Sequence, residues 1–197
     1  SGSRARTINL PATMTPELAE FLGYFYADGH MRRQYLEIVN EEDAIIERII
    51  ELGKKIFSIT PTIKKDERSK NLRKVVFASI LLTAYFNSVF GSPFNKKSDK
   101  IRVPKQIFLA DTQSKKSFLQ AYFDCDGHIA KDTRQIEFCT ASKMMAEDLR
   151  ALLAGFGFVP NFSTKKTKGK YYYRLCLKAK DVEIFAHEMG SKIKFKQ

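Results

Sequence analysis

Two ten-residue stretches constrain this chain more than any other feature: FLGYFYADGH at residues 21–30 and LQAYFDCDGH at residues 119–128. Each is an apolar run closed by an acid and Gly-His, and the two acids, Asp28 and Asp126, lie 98 residues apart. The offset returns elsewhere. Pro61 and Pro160 are 99 apart, as are the Gly-Ser pairs at Gly91 and Gly190, and Lys64-Lys65 is echoed by Lys165-Lys166. An offset shared by landmarks along the whole chain implies an internal duplication. One half-domain is written twice, with one carboxylate in each copy.

Hydrophobic periodicity supports the same order in both copies. Thr15 and Pro16 start a helix that carries Leu18, Phe21, Leu22 and Phe25 at helical spacing and ends at Gly29. Residues 35–39 alternate as a strand with Leu36 and Ile38 inward, and 43–56 form an amphipathic helix through Ile46, Ile49, Ile50 and Gly53. Strands at 60–65 and 73–78 and a helix at 79–89 follow. The second copy repeats this with a helix capped by Ser114, a strand at 135–139, a helix at 142–153, strands at 161–166 and 171–178, and a helix at 181–188. A further strand is expected after each motif, near 31–33 and 129–132. The expected organisation is a first half-domain at 1–98, a connector at 99–113 and a second half-domain at 114–197. Rich in Lys, Ser and Pro, the linking segment reads as a surface crossing.

Small residues sit four apart on each motif helix: Gly23 and Ala27, then Ala121 and Cys125. Residues at i and i+4 share a face, so each helix offers a flat stripe against which the other can pack closely. If the helices cross about a twofold axis, Asp28 and Asp126 face each other across it. Two carboxylates that close repel unless a cation lies between them. A hard divalent ion such as Mg²⁺, or Mn²⁺ in its place, suits carboxylate oxygens together with the backbone carbonyls of Ala27 and Cys125. Ions held in this way assist phosphodiester hydrolysis.

With 34 basic against 22 acidic residues, the formal charge is +12. Clustered positive charge favours a polyanionic partner through counterion release. No apolar run approaches the ~20 residues that span a bilayer, and the polar amino-terminal Ser1-Gly2-Ser3-Arg4 carries no signal peptide. Cys125, Cys139 and Cys176 have no metal-ligand spacing, and three is an odd number, which reads as an intracellular, reduced protein of the cytoplasm or nucleoid.

The paired motif resembles the LAGLIDADG homing endonucleases in their single-chain, two-motif form, with residues 21–29 and 119–127 as the two copies. The resemblance covers nearly the whole chain and implies an α+β fold: two pseudo-symmetric αββαββα halves packed through the motif helices, with antiparallel sheets forming a DNA-binding saddle. Tyr26 stands where the motif has its earlier Asp, and Ala121 where it has Gly. Both metal-binding acids are kept. The resemblance further implies a site-specific double-strand DNA endonuclease, a monomer with internal pseudo-twofold symmetry and a long asymmetric target. It also implies a basic residue near each metal. Lys100, just before an -IRVPKQI- connector that resembles intein-borne members more than free intron-encoded ones, and Lys194 match best, with Lys96, Lys97 and Lys196 as alternatives. Asn40, with Thr140 as its counterpart, is expected near the scissile phosphate. His30 and His128 follow the motif glycines and could bond a phosphate or a water.

Residues 170–178 alternate cleanly: Tyr171, Tyr173, Leu175 and Leu177 toward a core, and Lys170, Tyr172, Arg174, Cys176 and Lys178 toward solvent. Tyr35 and Glu37, like Gln135 and Glu137, share an outward face. Such side chains can read base edges in the major groove. Arg33 and the turn clusters Lys64, Lys65, Arg68, Lys70, Arg73, Lys74 and Lys165, Lys166, Lys168 are expected to grip phosphates. The competing expectation is a nucleic-acid binder without catalysis, such as an RNA maturase or a transcriptional regulator on the same fold.

Overall fold

Thr15 caps α1 (Pro16–Asp28), its hydroxyl accepting from the Leu18 amide at 3.2 Å. Pro16 fits the first turn, where an N–H would have no helical partner. The computed structural model describes residues 7–69, 71–95, 98–130 and 135–189. Lys70, Lys96, Lys97, Lys131, Asp132, Lys194 and Lys196 lie outside them. After α1 come β1 (Gly29–Met31), β2 (Tyr35–Asn40), α2 (Asp43–Phe57), β3 (Thr62–Lys65), β4 (Arg73–Ala78) and α3 (Ile80–Phe90). A 3-10 turn (Ser98–Lys100) and α4 (Lys105–Leu109) lead to α5 (Thr112–Asp126), β5 (Gly127–Ala130), β6 (Gln135–Thr140), α6 (Lys143–Ala154), β7 (Asn161–Thr167), β8 (Lys170–Leu177) and α7 (Ala179–Met189). The two antiparallel sheets have matching strand orders, β1-β2-β4-β3 and β5-β6-β8-β7. This is the duplicated αββαββα architecture that the sequence implied.

The cores repeat as well. Phe25 meets Phe86 edge-on at 5.2 Å in the first half, and Phe123 meets Phe185 at 5.2 Å in the second. Gly53 lets α2 close onto its sheet, since a Cβ there would fall 2.0 Å from the Phe77 ring. Between the halves, α1 and α5 pack backbone to backbone. A Cβ on Gly23 would lie 2.5 Å from the Phe118 carbonyl oxygen and 2.7 Å from the Ala121 Cβ.

Four details depart from the sequence reading. Asp111, not Ser114, caps α5, accepting from the Ser114 amide at 2.8 Å; Ser114 lies in the first turn and donates to Asp111. The strands after each motif begin at the glycine itself, with no loop. The linking segment is anchored, not laid across the surface: Ile101, Val103 and Ile107 are buried. Asp148 of α6 accepts from Arg102 Nε and Nη2 at 3.0 Å and from the Val103 amide at 3.1 Å. Finally, Tyr171 is 53% exposed, because β8 runs past the edge of the core, and Lys166 sits over its ring.

Candidate active site and nucleic-acid interface

Each motif helix turns into its strand without a linker, and a glycine permits this. A Cβ on Gly29 would lie 2.3 Å from the Phe25 ring and carbonyl oxygen, and one on Gly127 would lie 2.0 Å from the Phe123 ring. The preceding acids are thereby held at the helix ends, where α1 and α5 meet. Asn40, at the end of β2, joins the two. Its Nδ2 donates to Asp28 Oδ2 at 3.1 Å and reaches Cys125 Sγ of the second motif at 3.5 Å. Its Oδ1 accepts from the Glu42 amide at 2.9 Å. Thr140, at the end of β6, makes the matching turn, accepting from the Ser142 amide at 3.2 Å.

Both carboxylates act on the same buried groups. Burial pushes the Cys125 thiol well up from its ordinary pKa, and Asp28 and then Asp126 push it further. The Tyr122 phenol is raised in the same way, first by burial and then by Asp126, with Asp28 adding to it and Thr140 opposing. Cys125 and Tyr122 are therefore neutral packing groups at neutral pH and supply no base.

An open cavity of about 1080 Å³ lies over this point, floored by Ala27, Asp28, Asn40 and Cys125. Cations line it: Arg32, Arg68 and Lys74. Arg68 and Lys74 are gathered by Asp66, which accepts from Arg68 Nε and Nη2 at 2.9 Å and pairs with Lys74 at 3.2 Å. His30 and His128 also line the cavity, opposite Glu37 and Glu137 in the strand registers. Asp66 and Arg32 were not singled out by sequence. The one signal for Asp66 was its place as an acid among the basic residues of the β3–β4 turn.

The remaining expected residues divide by strand register. Tyr35, Glu37 and Lys74 lie outward on the first sheet, with Lys64 paired to Lys74. Glu137, Tyr172 and Arg174 lie outward on the second, with Lys165 paired to Tyr172, and Gln135 begins β6 on that face. Arg33 is exposed in the β1–β2 turn, Lys168 and Lys170 flank the β7–β8 turn, and Lys178 is exposed just past β8. Lys65 and Lys166, one residue on, point to the opposite face. Arg73 shares the face of Asn40 and pairs with Asp43 of α2, so it is not turned to the outer surface. Lys100 is exposed and does not line the Asp28 cavity. Its turn packs on the second half, where the Ile101 carbonyl accepts from Ser142 Oγ, and a hollow beside it is lined by Ser98, Asp99, Ala141 and Tyr173.

Residues 113–190 match the LAGLIDADG-like domain. Among solved structures, I-DmoI in complex with DNA and Mn superposes with a TM-score of 0.66 at 14% identity, covering 91% of this chain and 98% of that one. The replication factor C small subunit of Methanocaldococcus jannaschii contains a segment 35% identical over 179 residues, 88% of this chain and 9% of that protein. The second half is therefore a LAGLIDADG-like domain, and the first half repeats its strand order. The N-terminal LAGLIDADG domain of DUF199/WhiA is similar too, with a TM-score of 0.63, 16% identity and coverage of 92% and 84%. The replication factor C small subunit of Thermococcus kodakarensis is 33% identical over 186 residues, 92% of this chain and 20% of that protein. A glutamine–fructose-6-phosphate aminotransferase of Methanocaldococcus jannaschii is 27% identical over 188 residues, 93% of this chain and 17% of that protein. This chain therefore spans a fifth or less of the length of these relatives.

In the first LAGLIDADG motif, Tyr26 replaces the earlier acid and its hydroxyl bonds the Phe90 carbonyl at 3.1 Å and Ser92 Oγ at 2.7 Å. Burial pushes its pKa up to about 12. In the second motif that position is Asp124, which is buried. Among the described residues, no helix is long and apolar enough to cross a membrane.

Proposed function

We propose that this LAGLIDADG protein is a site-specific DNA endonuclease that hydrolyses one phosphodiester on each strand of a long, asymmetric duplex. The observation that supports this reading is Asn40, which bridges Asp28 of the first motif to Cys125 of the second, next to Asp126, beneath a cation-lined cavity. Because a single chain supplies both carboxylates, it acts as a pseudo-symmetric monomer.

The donor set fits a hard divalent ion. Asp28 ends one motif helix and Asp126 the other, Ala27, Asp28 and Cys125 line the cavity, and the Cys125 thiol stays neutral there. Among the described residues, no three His, Cys, Asp or Glu side chains cluster to hold a metal. The remaining ligands would be carbonyls, water and phosphate oxygens, a pattern that suits Mg²⁺ or Mn²⁺. Such an ion, when bound, supplies a more acidic water and takes up charge on the leaving oxygen.

The protein's own groups divide the rest of the work. Asn40 fixes one Asp28 oxygen by donating to it. Arg68 and Lys74, gathered by Asp66, place positive charge where a scissile phosphate would enter. Lys100 and, outside the described residues, Lys194 are the candidates for polarising the attacking water; the turn that carries Lys100 packs on the second half through the Ile101 carbonyl and Ser142. Preorganised charge of this kind contributes to the rate only if it is held in place before the substrate arrives.

The relatives favour an intein-borne or otherwise inserted enzyme. A replication factor and a sugar-phosphate aminotransferase bear unrelated names, yet each contains a segment alignable with most of this chain. A segment found in unrelated hosts behaves as an insert with its own activity, and cutting DNA is the activity that would spread it.

The test is cleavage of a randomised duplex library with Mg²⁺ or Mn²⁺ by the wild type, Asp28→Asn and Asp126→Asn. Enrichment of one long site cut on both strands by the wild type, and by neither variant, is expected. Selective binding without cutting under either metal would overturn catalysis and leave a DNA-binding protein.

A further inference from the structure

On the outward face of the second sheet, Arg174 and Glu137 form a unit that has no counterpart among the described residues of the first. Glu137 lies opposite Cys176 and Cys139 lies opposite Arg174, so the pair spans a cross-strand diagonal. Arg174 Nε donates to Glu137 Oε1 at 2.7 Å, and its Nη2 donates to Glu137 Oε2. The Arg174 side chain remains 37% exposed while Glu137 is 18% exposed. Glu137 therefore has both oxygens engaged, and the Cys176 thiol adds a weak contact to one of them. The Arg174 pairing occupies one acceptor site on each Glu137 oxygen and fixes the carboxylate in the plane of the guanidinium.

The geometry of the guanidinium decides what is left. Its five N–H donors are fixed in one plane. The edge made by Nε and Nη2 faces Glu137. The other edge, made by Nη1 and the second Nη2 hydrogen, points away from the carboxylate with two parallel donors. Two parallel donors match the O6 and N7 acceptors of guanine in the major groove.

The pseudo-symmetric positions in the first sheet are Glu37 and Lys74, in the same register: Glu37 opposite Val76, Val39 opposite Lys74. There the basic residue is a lysine, and it pairs with Asp66 beside the cleavage cavity. Among the described residues, no ion pair engages Glu37. One half thus sends this cation to the cavity and the other holds it rigidly on the sheet.

We propose that Arg174, aimed by Glu137 as its positioning residue, reads a guanine in the half-site bound by the second sheet, and that the pseudo-symmetric half-site has no such requirement. The inference rests on the DNA-recognition reading above. A rigid fork loses less conformational freedom on binding than a mobile lysine, so its discrimination is sharper.

The experiment is binding selection from a randomised duplex library with Ca²⁺, using wild type, Arg174→Lys and Glu137→Gln. In the wild type, one base pair is expected to show a guanine preference of roughly 5- to 150-fold, the range for a bidentate base contact. Arg174→Lys, which keeps the charge but loses the planar fork, should lower that preference several-fold and leave every other position and the salt dependence unchanged. Glu137→Gln should weaken the same position alone, a readout that general loss of stability would not produce. As a check that needs no variant, the wild-type complex should protect that guanine N7 from dimethyl sulfate. If the wild type selects no site, the DNA-recognition reading fails and takes this inference with it. If a site is selected but has no protected guanine in that half, or if Arg174→Lys keeps the wild-type profile, this inference alone is overturned.

Discussion

Replacing Gly23 with alanine should destabilise the protein and slow cleavage, although alanine is the better helix former. The new Cβ would lie 2.5 Å from the Phe118 carbonyl oxygen, 2.7 Å from the Ala121 Cβ and 3.1 Å from the Tyr122 nitrogen. Two of these are backbone atoms of α5 and cannot rotate away. The helices would have to part by roughly 0.5–1 Å to restore ordinary contact distances. Helix propensity returns about 1 kcal/mol, whereas overpacking costs about 1–3 kcal/mol, toward the upper end when the neighbours are backbone. A net loss of about 1–2 kcal/mol follows, which for a chain of this size lowers Tm by about 2–8 °C. The functional cost should be larger. Asp28 and Asp126 sit at the ends of these two helices, and a ~1 Å misplacement of reacting groups can cost about 10²-fold in rate. Thermal unfolding and single-turnover cleavage of the selected site, measured beside DNA affinity, separate the effects. An unchanged or raised Tm with wild-type cleavage would refute the close-packed helix interface as the device that sets the carboxylates.

Tyr26→Phe removes a buried hydroxyl that serves the Phe90 carbonyl and Ser92. It should cost about 1–2 kcal/mol in urea unfolding with no change in cleavage rate, since the position braces the core and not the chemistry; a slowed cleavage step would contradict that assignment. The Asp66 carboxyl is held well below the usual carboxylate range, chiefly by its hydrogen bonds from the Arg68 side chain and backbone, with Lys74 adding to it. A group depressed in the folded state contributes order that is complete above its unfolded pKa of about 4 and is lost as pH falls through the lower folded value. A carboxyl-carbon NMR titration should find Asp66 titrating below the ordinary range in the wild type and moving upward in Arg68→Ala. Ordinary titration in both proteins would dissolve the Asp66 anchor.

Much of the fold was legible because local and global signals agree. The motif helices announce their starts with Thr15-Pro16 and their ends with Gly29 and Gly127, and Leu36 and Ile38 mark the inner face of β2. Legibility failed where one local signal had two valid readings. Asp111 and Ser114 are both cap formers, and only the docked length of α5 chose between them. In the linking segment, Lys and Pro suggested solvent, while the two-residue alternation of Ile101 and Val103 carried the burial that Asp148 and Ser142 complete from 40 or more residues away. Tyr171 continued an inward alternation past the point where any core remained beneath it.

The sequence by itself determined that the chain is a duplication with one acid per copy, that small residues line both motif helices, and that alternate strand residues form an outer, charged face. These properties are periodic or repeated, so they survive without knowledge of what packs on what. Only the tertiary structure decided that Asn40 touches both motifs, that Asp66 draws Arg68 and Lys74 to one cavity, and that Glu137 holds Arg174 while Glu37 is left to a different role. Those choices depend on which of several nearby opposite charges lies within about 3 Å after the strands have taken their register. Coulombic pairing falls off with distance and is screened by water, so strand register, and not composition, selects the pair.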